Sequence, residues 1–177
     1  PTRVGAMNYF QDAIPMEAMD KFIHKKRAEG MPGLGAMHVL VSAYIRMLSQ
    51  KPGLNRFLSG LRIFARHNIE VIMAVKKELS IDAPETMIKF VFQPNATIYD
   101  VYNQFNEKIN AFKNSKEEES AFDFVAALLG KIPRFFLKAT VGFLKFLDYH
   151  GWLPKFLTDL SPFHGSLVIT SMASLGI

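Results

Sequence analysis

The hydrophobic period changes along this 177-residue chain, and that change limits the folds open to it. Apolar residues recur at helical spacing up to Gln50, alternate as in strands between about Arg62 and Phe92, and return to helical spacing after Thr97. A last apolar stretch over residues 166–171 is typical of a strand. This order predicts an α/β fold in which a mixed β-sheet is covered by helices.

The first half predicts a short strand at residues 7–10 and then two helices. Pro15 opens the first helix, where a missing N–H costs nothing, and Gly30 ends it. The second helix, from about Gly35 to Gln50, is apolar around much of its circumference, so we expect it at the centre of the fold. Strands follow at residues 62–66, 69–76 and 87–92, and the first two are joined by a tight turn at residues 67–68.

Thr97 and Asp100 form a capping-box pattern, in which a hydroxyl residue is followed three positions later by a carboxylate. The apolar spacing that follows predicts a helix to Phe112. Further helices are predicted at about residues 120–129, 133–149 and 153–160.

The helix after Pro133 is both basic and strongly apolar. At about 100° per residue, Arg134, Lys138 and Lys145 fall within roughly 40° of one another, and apolar side chains fill most of the remaining circumference. We take it first as a helix packed in the core or against a partner subunit. A position on a membrane surface is the alternative.

The composition excludes several classes of protein. The chain has no cysteine, which rules out a disulfide scaffold, a Cys-ligated zinc site and a thiol nucleophile. Its 21 Lys+Arg and 16 Asp+Glu give a net charge of +5, which favours anionic partners but is too small to predict nucleic-acid binding. We see no signal peptide or membrane-spanning run, and we expect a cytoplasmic protein.

The five histidines carry no metal-binding motif, so we expect no metal site. His38 lies on the apolar second helix and is interpreted as a core residue. His24 and His67 are interpreted as solvated. His150 and His164 flank the last helices, where either a structural or a functional role stays open. No glycine-rich phosphate loop is present.

Two segments resemble one family. The first runs from Val41 through the turn Lys51-Pro-Gly-Leu-Asn55 into the strand that ends at Val75, and the second is Gly165-Ser-Leu-Val-Ile-Thr-Ser-Met-Ala-Ser-Leu-Gly-Ile177. The first segment is similar to a buried helix that ends in a His-Pro-x-Leu/Phe-Asn type turn. The second is similar to a Gly-x-Phe-Thr-Ile-Ser-Asn-Leu-Gly segment. Both belong to the acyltransferase catalytic domain of 2-oxo acid dehydrogenase complexes and to the related chloramphenicol acetyltransferases.

The resemblance implies a two-layer α/β sandwich that assembles as a homotrimer with active sites between subunits. It implies acyl transfer between coenzyme A and a thiol or hydroxyl acceptor, and a place in a 2-oxo acid dehydrogenase-type complex. We expect no nucleic-acid partner, a membrane-surface partner is only the less favoured alternative given above, and the chain has no lipoyl attachment pattern of its own. The family's oxyanion-stabilising hydroxyl falls on Thr170, and the Asn that follows it falls on Ser171.

The chain also departs from the family. The family's general base is a His in a His-x-x-x-Asp-Gly motif, and no such motif occurs here. We therefore expect residues 1–177 to be one acyltransferase-like domain without its C-terminal segment, and residues 115–163 to be a helical insertion within it. The alternative is a catalytically silent relative that serves as a scaffold or interaction protein.

Overall fold

The computed structural model describes residues 8–59, 62–76, 85–114, 133–160 and 164–170. These residues form a mixed α/β structure of helices and small open sheets, as the changing period predicts. The helices are α1 (Glu17–Ala28), α2 (Ala36–Gln50), α3 (Ile98–Asn114), α4 (Arg134–His150) and α5 (Lys155–Leu160), with a 3₁₀ turn at Pro52–Leu54. The strands are β1 (Arg56–Ser59), β2 (Arg62–Ala65), β3 (Ile69–Lys76), β4 (Glu85–Phe92) and β5 (Leu167–Ile169).

Strand β3 is the centre of a three-stranded mixed sheet with the order β4-β3-β5. It runs antiparallel to β4 over its full length, with Ile69 opposite Phe92. It runs parallel to β5, with Val71 opposite Leu167. Strands β1 and β2 form a separate antiparallel pair.

The main core lies between this sheet and helices α2 and α3. Apolar side chains recur at helical spacing in α2 and α3 and at alternate positions in β3, so each element turns one row towards the others. The buried residues of this core are Val41, Ile45, Leu48, Ile69, Val71, Met73, Phe90, Phe92, Val101 and Phe105. Ile72, on the opposite face of β3, is also only 1 % exposed. Both faces of β3 are therefore buried, whereas the sequence alternation predicts only one well-buried face.

The start of α3 confirms part of the predicted capping box. The Asp100 carboxylate accepts from the Thr97 backbone N–H at 2.7 Å. The Thr97 hydroxyl donates to the same carboxylate at 2.7 Å instead of accepting from the helix backbone. The two bonds from Thr97 lower the pKa of the Asp100 carboxyl group, and the backbone N–H of Asp100 itself adds to this effect.

Four of the sequence expectations need correction or lie outside the described residues. Residues 8–10 are exposed and form no strand, because no neighbouring strand pairs with them there. Strand β2 pairs with β1 and not with β3, so residues 67–68 connect two sheets instead of closing a hairpin. The last strand ends at Ile169. The helix predicted at residues 120–129 lies outside the described residues.

Ser166, just before β5, joins three distant parts of the chain. Its backbone N–H donates to the Glu70 carbonyl at 2.7 Å, and its carbonyl accepts from the Tyr44 hydroxyl at 2.9 Å. Its own hydroxyl donates to Asn55 Oδ1 at 2.7 Å and accepts from the Glu70 N–H at 3.1 Å. Ser166 thus fixes the approach of β5 to helix α2, to strand β3 and to the turn before β1.

Gly165 lets this junction form. A Cβ atom at this position would lie 2.5 Å from Ile72 Cδ1 and 3.4 Å from the Glu70 carbonyl oxygen. The first of these contacts is too short, and both neighbours belong to the buried central strand. A larger residue here would therefore force the buried Ile72 side chain to move, which favours glycine.

Asn55 completes the junction and is the buried polar residue of the described core, at 5 % exposure. Its amide donates to the Asn68 carbonyl at 3.0 Å while its oxygen accepts from Ser166. The Asn55 carbonyl also accepts from the Arg66 backbone N–H at 2.9 Å. One side chain therefore holds the link between the two sheets and the start of β5.

We predict that Asn55→Ala lowers the free energy of unfolding by about 2 kcal/mol, because the partly buried Asn68 carbonyl loses its donor and the Ser166 hydroxyl loses its acceptor. Urea denaturation followed by circular dichroism measures this change. Asn103→Ala, on the exposed side of α3, is the matched control and changes stability by less than about 0.5 kcal/mol. Equal effects of the two substitutions would contradict the role given to Asn55.

Candidate functional site

A cleft of about 470 Å³ lies between the β1–β2 pair and the turn that connects α4 to α5. Its walls combine aromatic rings with titratable side chains, as ligand sites commonly do. Its main lining residues are Phe57, Phe64, Arg66, His150, Trp152 and His164.

The turn after α4 forms one wall of the cleft. Gly151 adopts a left-handed conformation with φ +71°, which ends the helix, and the Trp152 N–H donates back to the Leu147 carbonyl at 2.8 Å. This turn stacks the Trp152 ring on the His150 ring at a centroid distance of 5.0 Å. Ser59 of β1 donates its hydroxyl to the Asp148 carbonyl at 2.7 Å and so ties this wall to the β1–β2 pair.

Glu70 and Arg66, which line the cleft, belong to a small group of charges that also includes Lys89. The Glu70 carboxylate lies 3.8 Å from the Arg66 guanidinium and 3.3 Å from the Lys89 ammonium group. All three side chains are no more than 20 % exposed. Arg66 also lies over the Phe57 ring, 4.5 Å from its centroid. The two cations share one carboxylate, so this group carries a net charge of +1.

His164 and Asp148 form a side-chain contact on the wall of the cleft. His164 Nε2 lies 3.2 Å from Asp148 Oδ1. The backbone carbonyl of His164 accepts from Arg66 Nη1 at 3.1 Å. The other ring nitrogen, Nδ1, is buried and has no hydrogen-bond partner among the described residues. In this geometry Asp148 occupies one ring nitrogen and the other is buried, so neither nitrogen is free to face a molecule bound in the cleft.

Thr170, the predicted oxyanion donor, lies away from this cleft. It follows the end of β5, is exposed and has no hydrogen-bond partner among the described residues. It stands four residues beyond Ser166, which is about 13 Å along an extended chain. Ser171 lies outside the described residues.

The remaining histidines agree in part with their interpretations. His24 and His67 are exposed. His38 is half-buried; its Nδ1 accepts from the Gly35 N–H at 3.0 Å before the first turn of α2, and its ring packs against Phe105 at 5.0 Å. Among the residues that the structure describes, no three His, Asp or Glu side chains are grouped as metal ligands.

Sequence reasoning named His150 and His164 individually but did not bring them together. The cleft also uses Arg66, Glu70 and Asp148, which lie far apart in the chain and share no motif. The available signal was that both histidines flank the last helices.

Comparisons of the chain with family models, with curated proteins and with solved structures give no match.

We predict that His38 makes the fold sensitive to mild acid. Burial lowers the pKa of His38 below its usual value of 6.5, so the unfolded chain binds this proton more readily than the folded one. The folded protein therefore keeps its full stability above about pH 6.5. Its stability falls as the pH drops from there through the lower pKa that His38 has in the folded state.

Urea midpoints measured between about pH 7.5 and pH 5 test this dependence. His38→Gln reduces the pH slope, because glutamine at the third helical position can still accept the Gly35 N–H but does not titrate. His24→Gln, at an exposed position of α1, is the matched control. A slope that persists in His38→Gln would assign the acid sensitivity to other groups.

Proposed function

We propose that this chain is an acyltransferase-like domain that transfers an acyl group between coenzyme A and a thiol or hydroxyl acceptor, as in the acyltransferase components of 2-oxo acid dehydrogenase complexes. The observation that carries the proposal is the parallel pairing of β3 with β5. These strands belong to the two segments that resemble the family. The family assignment requires both in one sheet, and separate sheets would have overturned it.

The contacts at this junction add support. Asn55 ends the Pro-Gly-Leu-Asn turn of the first segment, and Ser166 follows Gly165 at the start of the second. Their side chains share a hydrogen bond of 2.7 Å although 111 residues separate them. One residue from each of the two family-like segments therefore forms a direct hydrogen bond with the other. Two segments that resembled the family by chance would not need to be in contact.

The helix layer is also consistent with the proposed sandwich. Helices α2 and α3 pack on the face of the sheet that carries Val71 and Phe90, with Val41 and Phe105 buried against them. We extend the proposal to a mixed sheet covered by helices and a homotrimer with active sites between subunits. A cytoplasmic location, where coenzyme A is available, belongs to the same proposal.

Thr170 takes the role of oxyanion donor in this proposal. Its exposed position at the end of β5 leaves its hydroxyl free to donate to a substrate held by a neighbouring subunit. That donor would stabilise the negative charge of the tetrahedral intermediate formed when the acceptor attacks the thioester. Thr in place of the family's Ser keeps the donor and adds a methyl group.

A catalytically silent scaffold remains the second candidate. The observation that favours it is the absence of any His-x-x-x-Asp-Gly sequence in these 177 residues. Without that base, the acceptor's proton has no assigned destination. The two candidates differ in one measurable property, which is turnover.

We expect the protein to release free coenzyme A from acetyl-CoA in the presence of dihydrolipoamide or a hydroxyl acceptor. Thr170→Val should lower kcat about 10²–10³-fold, because it removes one oxyanion donor but keeps the shape of the side chain. Thr170→Ser is the matched control and should retain most of the activity. A folded trimer with no turnover above background would favour the silent scaffold.

A further inference from the structure

Helix α4 and the turn after it expose a continuous set of aromatic rings. We call this set the aromatic face; it consists of Phe135, Phe136, Phe143, Phe146, Tyr149 and Trp152. These side chains are between 51 % and 79 % exposed. Isolated exposed apolar side chains are ordinary, but a contiguous group of this size marks a surface that meets an apolar partner.

The circumference of α4 divides into three sectors. Leu137, Leu144 and Leu147 are the partly buried apolar residues and fall within roughly 80° of one another, so this sector faces the rest of the protein. The aromatic residues of the helix occupy an arc of roughly 140° on another side. The protein therefore covers only part of the apolar surface that the sequence places on α4.

The third sector is basic and borders the aromatic one. Lys138 and Lys145 are exposed, lie within roughly 20° of each other, and have no acidic partner among the described residues. The acidic residue of the helix, Asp148, lies on the far side of these lysines from the aromatic arc and faces His164. Aromatic rings and unpaired lysines therefore share one open surface.

We propose that the aromatic face lies in the surface layer of a lipid bilayer that carries anionic headgroups, with Lys138 and Lys145 at the lipid phosphates. Charge complementarity selects this partner, because lysines are depleted from the centres of protein interfaces but frequent beside the apolar side of membrane-surface helices. The net charge of +5 acts in the same direction. This inference takes up the less favoured alternative that the sequence leaves open for this helix, and it does not depend on the proposed acyl transfer.

The residue types and the helix length fit a surface position. Trp and Tyr are enriched where apolar chains meet headgroups, since each has an apolar body and a polar tip. Helix α4 has 17 residues and carries the basic sector along its length. No helix among the described residues is long and apolar enough to cross a membrane. The helix would therefore lie in the plane of the bilayer surface.

The chain supplies its own probe, because Trp152 is its single tryptophan and belongs to the aromatic face. We expect its fluorescence emission to move to shorter wavelength when the protein is titrated with vesicles of phosphatidylcholine and phosphatidylserine in equal amounts. Vesicles of phosphatidylcholine alone should give a much weaker response, and added salt should reduce the response to the mixed vesicles.

Matched variants separate the two contributions. Lys138→Gln with Lys145→Gln should weaken binding to the mixed vesicles about 30-fold, whereas Lys21→Gln with Lys25→Gln removes the same charge from exposed α1 and should change it far less. Phe135→Ser with Phe143→Ser should weaken binding to both kinds of vesicle by roughly tenfold or more for each ring. Leu54→Ser with Ile63→Ser removes exposed apolar side chains elsewhere and serves as its control.

We expect each variant to fold, because the substituted side chains are exposed. Circular dichroism melting curves check this. Light scattering on the same samples measures the oligomeric state. The proposal is overturned if Trp152 emission does not respond to anionic vesicles. It is also overturned if the Phe135→Ser, Phe143→Ser variant binds vesicles normally but loses self-association, because the aromatic face is then an interface between copies of the chain.

Discussion

The hydrogen bonds around Ser166 are the interaction on which the rest of the described structure depends. One residue engages Tyr44 of α2, Asn55 before β1 and Glu70 of β3, which precede it by 122, 111 and 96 residues. Each group is at least partly buried, so a missing partner would carry the full cost of desolvation. Such a junction tolerates one arrangement of the chain and excludes neighbouring registers of β5.

This junction also determines where chemistry is possible. On one side of it, Glu70, Arg66 and His164 form part of the cleft, because the turn before β5 places His164 beside the start of β3. On the other side, β5 carries Thr170 beyond the end of its short pairing with β3. The two candidate places for function are therefore separated by the length of one strand but depend on the same hydrogen bonds.

Local patterns could be predicted from the sequence wherever one segment contains the whole signal. Helices α2 and α3 were predicted close to their observed bounds, since the apolar spacing and the Thr97–Asp100 cap are local features. The pairing of β2 could not be predicted in this way. Residues 67–68 have the composition of a tight turn, but Asn68 is held by Asn55 and Gln93, and such side-chain bonds from distant residues leave no local pattern.

The cleft shows the same limit more clearly. Its lining residue Glu70 of β3 pairs with Lys89 of β4, and Asp148 of α4 contacts His164 in the turn before β5. No spacing rule links these positions, because their distance in space is fixed by the two sheets and by the turn at Gly151. Periodicity identifies the face that a residue occupies, but only the assembled fold identifies its neighbours.

Helix α4 shows a distinction that an apolar sequence pattern alone cannot make. An apolar residue count cannot tell a helix surrounded by protein from one that offers part of its apolar surface to something else, because both need the same residues. The position of its charges can. In a helix packed into a core from all sides, Lys138 and Lys145 would each need a buried partner, since an unpaired buried ammonium group is very costly. Their exposure beside the aromatic face removes that cost, and it leaves the aromatic rings on the side of the helix that the protein itself does not cover.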